Sequence, residues 1–314
     1  MKRKTVLPLQ FSASSSPQKT AVTLSPFIFL ALLCIFSSTR KSHFHDLQQY
    51  AASSLSLQSP PQPTFRLLIG ILTRADLYER RNLLRLVYGL QSSRNAQVDV
   101  KFVFCGLSKE DQMILVALEM MLHDDIVILN CTENMNSGKT YTYLSSLPGI
   151  LDGPGPGPAY DYVMKADDDI YFRLDPLVES LTPLPREDMY YGFVIPCREM
   201  NPFGHYMSGM GYVLSWDLVE WIATAEIAKN KTVGPEDMMV GEWLREGGRG
   251  KNRYNTKPAM YDYPLNVTRD ACSHEFVPDT IAVHRLKHQW EWVRTLQYFN
   301  VTDQLRPSKM YHIS

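Results

Sequence analysis

From residue 65 onward, two hydrophobic periods alternate along the chain. Phe65-Arg66-Leu67-Leu68-Ile69-Gly70-Ile71-Leu72-Thr73 is nearly continuous in apolar residues, the pattern of a strand buried on both faces. Residues 79–88 then place Leu83, Leu84 and Val87 at helical spacing. A second strand is predicted over 98–104. A helix follows from Ser108, with Asp111 as a weak capping box and with Ile114, Leu115, Leu118 and Met121 along one side. Residues 125–129 read as a third strand, and 139–147 as a helix ending at Pro148. Gly153-Pro154-Gly155-Pro156-Gly157-Pro158 can be neither helix nor central strand, so it forms a surface loop. A strand leading into residue 167 comes next. Strands alternating with helices predict an α/β domain with a mainly parallel sheet and helices on its faces. The second half is less regular. Strands are expected at 189–195 and 206–214, helices at 217–225 and 235–245, and an irregular segment with a short strand at 249–263. A last strand at 281–286 and an amphipathic helix at 290–299 close the chain. No internal repeat occurs, and no Pro/Ser linker divides the region after residue 65.

The first 63 residues follow a different pattern. Residues 21–36 carry no charge and would span about 24 Å as a helix, slightly short of a bilayer core. Lys2, Arg3 and Lys4 precede them. A cleaved signal peptide is the rival reading, but its basic region would be unusually long and no Ala-x-Ala site follows Phe36. The sequence therefore favours a signal-anchor with a cytosolic basic tail, although Pro26 within the run and Arg40 and Lys41 beyond it weigh against that. Residues 42–63, rich in Ser, Gln, Pro and His, read as a flexible spacer. The division is a tail at 1–20, a transmembrane anchor at 21–38, a stem at 39–63 and a lumenal domain at 64–314. Sequons at Asn130, Asn230, Asn266 and Asn300 agree with a lumenal domain, although Asn130 ends an apolar run. Of five cysteines, Cys34 lies in the anchor; Cys105, Cys131, Cys197 and Cys272 could form two disulfides or remain small buried thiols. No Cys-x-x-Cys pair exists, which argues against a structural zinc site. A net charge of -1 gives no support for nucleic-acid binding.

Candidate chemistry centres on Asp167-Asp168-Asp169, which follows the apolar run Tyr162-Val163-Met164 and precedes Ile170-Tyr171-Phe172. Three adjacent carboxylates repel one another unless a cation sits among them, and carboxylate oxygens suit Mg²⁺ and Mn²⁺. A solvated acidic turn is the competing reading. An EF-hand is excluded because Phe172 stands where its Gly must be. Gly138-Lys139-Thr140 resembles the end of a P-loop, but Glu133 occupies the position of the leading Gly. In Gly234-Pro235-Glu236-Asp237, the two acids either complement a helix dipole or offer a general base. Gly209 and Gly211 permit close approach by a sugar ring or by a neighbouring strand. His284 ends an apolar strand and could complete a metal site begun by Asp169. Arg80, Arg81 and Arg85 form a basic helix face: solvated, compensating a nucleotide, or bracing the acidic run. Lys139 has the same readings.

Taken in order, these stretches resemble the β-1,3-galactosyltransferases of glycosyltransferase family 31, whose relatives include β-1,3-N-acetylglucosaminyltransferases and Fringe. The matching blocks are Arg80-Arg81-Asn82-Leu83-Leu84-Arg85, Phe102-Val103-Phe104-Cys105-Gly106, the stretch from Asp125 to Thr140, Asp167-Asp168-Asp169, Ser208-Gly209-Met210-Gly211-Tyr212, and Glu236-Asp237-Met238-Met239-Val240-Gly241. The resemblance covers about residues 65–284. It departs at Val87-Tyr88, where the family has Thr-Trp, and at Met238, where Val is usual.

The resemblance implies a GT-A fold and Mn²⁺-dependent (Mg²⁺ possible) inverting transfer of a hexose or N-acetylhexosamine, galactose favoured. The sugar would pass from a UDP-sugar to a glycan or glycoprotein acceptor in β-1,3 linkage, in the Golgi lumen. It makes Asp169 the metal ligand with His284 its partner, and places Asp167 and Asp168 on the ribose or in the metal's outer shell. Asp237 would be the base, and its neighbour Glu236 should matter less. A catalytically silent sugar-nucleotide or glycan-binding protein on the same fold is the alternative. A secreted metal-dependent phosphohydrolase would show more His and Asp at several strand ends.

Overall fold

The computed structural model describes residues 63–93, 95–151, 157–264 and 272–303. They belong to one compact unit that begins at Pro63. The expected tail and anchor, nearly all of the expected stem, residues 153–156 of the Gly-Pro run and Asn266 lie outside the described residues. Among the described residues no helix is long and apolar enough to cross a membrane.

The apolar run after Pro63 forms β1 (Phe65–Leu72), followed by α1 (Tyr78–Gly89), β2 (Ala96–Cys105), α2 (Glu110–His123), β3 (Ile126–Leu129) and α3 (Lys139–Ile150). Next come β4 (Tyr162–Asp167), β5 (Tyr171–Phe172), α4 (Leu174–Leu181), β6 (Met189–Ile195), β7 (Tyr206–Ser215), α5 (Trp216–Thr224), α6 (Glu226–Asn230) and α7 (Glu236–Glu246). The chain closes with β8 (Asn252–Asn255), β9 (Met260–Asp262), β10 (Ala282–His284) and α8 (Gln289–Tyr298). The main sheet has the order β3-β2-β1-β4-β7-β6-β8. β1 to β4 run parallel, and β7 pairs antiparallel with both β4 and β6. The result is a mixed α/β fold with a central sheet and flanking helices.

Strands β1, β2 and β3 extend the sheet one way, and β4 then returns to the other side of β1. This reversal is a topological switch point, where a crevice opens outside the strands' carboxyl ends. Leu72 and Asp167 are paired there, so the acidic run lies at its mouth. A second sheet of order β5-β10-β9 is laid against it. Its inner residues Phe172, Met260 and Ala282 are fully buried in the same core as Ile69, Met164 and Met210.

The basic face of α1 divides in two. Arg81 is completely buried, donates to both oxygens of Glu119 at 2.6 and 2.9 Å, and also donates to the carbonyls of Arg74 and Ala75. Arg85, one turn on, donates to Asp125 and Glu119 at 2.8 Å. These contacts explain why α2 departs from expectation. It docks through Glu119 and the buried Val116, so Ile114, Leu115, Leu118 and Met121 are exposed instead of buried. The expected capping box at Ser108 does not form, because the helix starts after Lys109 without a side-chain cap.

Cys105 pairs with Cys131, and Cys197 with Cys272. Asn130, Asn230 and Asn300 are all exposed, Asn130 included despite its apolar approach.

Candidate active site

Asp167, Asp169 and His284 offer ligand atoms that all lie within 4.8 Å of one another. His284 Nε2 is 3.1 Å from Asp169 Oδ1 and 3.5 Å from Asp167 Oδ2. The two sheets create this convergence: Asp167 ends β4, and β10 delivers His284 beside it. In the register of β9 and β10, Asp262 stands opposite His284, and its Oδ1 accepts the Nδ1–H at 2.8 Å. That bond fixes the ring so that Nε2 faces the two acids, the arrangement that orients a metal-ligating histidine. Burial pulls the imidazole pKa down, but hydrogen bonds to Asp167, Asp169 and Asp262 outweigh burial and hold it well above its ordinary value. A group of two carboxylates and one imidazole that concentrates this much negative charge fits a divalent cation of the Mn²⁺ type.

Asp167, expected on the ribose or in an outer shell, stands beside Asp169 and His284 in the group of atoms that could hold a metal ion. Only Asp168 turns away, where its Oδ2 accepts the Thr73 hydroxyl at 2.5 Å. Burial raises the Asp168 pKa, with Asp169 and Asp167 adding to the rise against Thr73 and Arg80.

A second group of charged residues lies behind the first. Lys165 is fully buried and donates to Asp167 Oδ1, Glu236 Oε1 and the Gly209 carbonyl, each at 2.6 Å. Glu236 Oε2 also accepts from the Thr140 hydroxyl at 3.0 Å. Burial pulls the Lys165 pKa down, but Asp167 and Glu236 reverse this and keep the ammonium charged. Asp237 begins α7 beside Glu236, and its Oδ2 accepts the Gly209 N–H at 3.0 Å. Gly209 is required here because a Cβ would stand 2.6 Å from Glu236 Oε1 and 3.1 Å from Lys165 Nζ. A Cβ on Gly211 would meet Phe172 at 2.6 Å. Protein side chains, not a sugar ring, occupy the space these two glycines leave.

A cleft of about 490 Å³ opens over the switch point, lined by Thr73, Arg74, Leu77, Glu133, Lys139 and the three acids of the run, among others. Lys139 is buried at its wall and donates to the Thr73 carbonyl and to Glu133 Oε1, both at 2.5 Å. Burial lowers its pKa against the pull of Glu133. Glu133, the residue that rules out a P-loop, is thus the partner of the lysine that suggested one.

Arg80 donates to the Leu286 and Lys287 carbonyls at 2.6 and 3.1 Å. The Leu286 N–H in turn donates to the Asp169 carbonyl at 2.8 Å. Arg80 is thus a brace behind the acidic run. Arg85, expected at the nucleotide, is not brought to the cleft. Arg81 and Arg85 are one turn apart and face α2 and β3, whereas Arg80 is rotated about 100° toward β10.

Sequence comparison agrees with the geometry. A family profile described as galactosyltransferase matches residues 79–249, more than half of the chain. The chain belongs to the galactosyltransferase family. It is 25% identical to the β-1,3-galactosyltransferase pvg3 of Schizosaccharomyces pombe (strain 972), over 77% of this chain and 76% of that protein. It is 26% identical to β-1,3-galactosyltransferase 6 of Mus musculus, over 61% of this chain and 63% of that one. The chain thus covers less than two thirds of the mouse protein's length. Among solved structures, a mannosyltransferase from Pyrobaculum calidifontis in complex with GDP-Man and Mn²⁺ superposes with a TM-score of 0.43 at 14% identity, covering 88% of this chain and 77% of that one.

Proposed function

We propose that this galactosyltransferase-family enzyme has a GT-A fold and transfers galactose from UDP-galactose to a hydroxyl of a glycan acceptor, with inversion, in a β-1,3 linkage. The observation that carries this reading is the convergence of Asp167, Asp169 and His284 at the switch point, with Lys165 joining that group to the helix start that bears Asp237. Asp167, Asp169 and His284 would hold Mn²⁺, which when bound neutralises the diphosphate of the departing UDP. Thr73, Lys139 and Asp168 line the cleft in which the nucleotide sits. Asp237 takes the proton of the acceptor hydroxyl as its oxygen bonds to the anomeric carbon and the bond from that carbon to the diphosphate breaks. One in-line displacement accounts for inversion, so no enzyme nucleophile is needed.

The test is a donor screen on the purified lumenal domain with UDP-galactose, UDP-N-acetylglucosamine and UDP-glucose, with and without Mn²⁺, followed by linkage analysis. UDP-galactose should be preferred and turnover should stop with excess chelator. Equal turnover in chelator, or binding of UDP-sugars without any transfer, would exclude the reading.

The same proposal places the enzyme in the Golgi membrane as a single-pass type II protein. It rests on the uncharged run at 21–36 behind a basic tail, and on the exposed sequons at Asn130, Asn230 and Asn300. In sealed microsomes the domain should resist protease, and glycosidase should lower its apparent mass. Digestion in intact vesicles would overturn the placement.

A further inference from the structure

Lys165 lies two residues before Asp167 on β4, so both project from the same face of the strand. An ammonium group has three donors, and all three of Lys165 are engaged. Each leads to a different part of the site. Asp167, held through Oδ1, is left with Oδ2 toward His284. Gly209, held through its carbonyl, uses its own N–H to hold Asp237. Glu236, held through Oε1, immediately precedes Asp237 in the first turn of α7.

We propose that Lys165 is a positioning residue that ties the orientation of the cation-facing carboxylate of Asp167 to that of the base Asp237, so that cation affinity and turnover depend on the same ammonium group. This rests on the function proposed above. A compact point charge suits the task. A planar guanidinium presents its donors in a fixed fork, whereas the three acceptors here surround a single nitrogen. Replacing the ammonium with a methyl thioether releases Asp167 to rotate. It also leaves the Glu236 carboxylate and the Gly209 carbonyl without their strongest donor.

The experiment compares the wild type with Lys165→Met and with the double variant Lys165→Met/Glu236→Gln. The double variant removes the unpaired buried carboxylate and carries the test if the single variant does not fold. Three quantities are read: Mn²⁺ binding by calorimetry without substrate, kcat at saturating Mn²⁺ and donor, and the melting temperature. Mn²⁺ binding should weaken by ~10- to 100-fold, the usual scale for losing a group that orients a ligand. At saturating Mn²⁺, kcat should remain lower by about 10-fold or more, because the base is no longer held in place. The double variant should recover much of the melting temperature and keep both losses. A folded variant with wild-type Mn²⁺ affinity, or one whose kcat is restored by excess Mn²⁺, overturns the link. A wild type that binds no Mn²⁺ overturns the metal-dependent function, and the link with it.

Discussion

Asp237→Asn is expected to lower turnover by roughly 10²-fold or more, the scale for losing a general base, while UDP-sugar affinity stays nearly unchanged. Asp237 stands in the first turn of α7. Its Oδ2 accepts the Gly209 N–H and its Oδ1 accepts the Met238 N–H at 2.8 Å. Asparagine keeps the shape and an oxygen for Gly209, but it cannot take a proton from a sugar hydroxyl. The proposed cation group and the proposed nucleotide cleft are built from other residues, so donor binding should survive. Glu236→Gln, expected to be milder, would also disturb a carboxylate that is largely buried against Lys165. Glu246, exposed at the far end of the same helix, is the better comparator. Normal turnover in Asp237→Asn, or loss of donor binding in step with activity, would make Asp237 a structural helix-start acid.

Asp169→Ala should abolish metal-dependent UDP-sugar binding and leave the fold intact. The side chain supplies one of the three cation-facing atoms, so its removal should cost at least the ~10- to 100-fold in metal affinity that loss of an outer partner costs. The fold should persist because Asp169 holds Leu286 through its backbone carbonyl, which alanine retains. Calorimetric titration with Mn²⁺ and UDP-galactose, alongside a melting curve, reads both halves. Full activity in the folded variant, or activity indifferent to chelator, would exclude the proposed role.

Much of this architecture is legible in the sequence where local pattern suffices. The apolar runs of β1 to β4 and the helical spacing of α1 specify their elements directly, and the crevice rule then places the acidic run; α3, expected to end at Pro148, instead continues through it to Ile150. α4 escaped the sequence reading although its signal was present: Leu174, Leu177, Val178 and Leu181 follow helical spacing and are all buried. Other features depend on pairings across the chain that no local pattern encodes. The outward face of α2 follows from Glu119 docking on arginines 34 to 38 residues earlier. Lys165 and Glu236, 71 residues apart, each look like an ordinary charge, and only the sheet brings them together. Asp262, which orients His284, lies in a segment with no motif of its own. The disulfide partners were equally undecided until β2 and β3 set Cys105 beside Cys131.

The position of His284 also bears on how the protein is made. The family match ends at residue 249, yet Asp262 and His284 lie beyond it. A fragment cut at the end of the match would keep the acidic run and Asp237 but lose the imidazole and the carboxylate that aims it. During synthesis, which adds about 5–20 residues per second, β1 to β8 emerge before the strand that carries His284. On the function proposed above, the nascent chain would lack one of its three candidate cation ligands until residue 284 has been produced. Ribosome-stalled or prematurely terminated products should be inert, not weakly active.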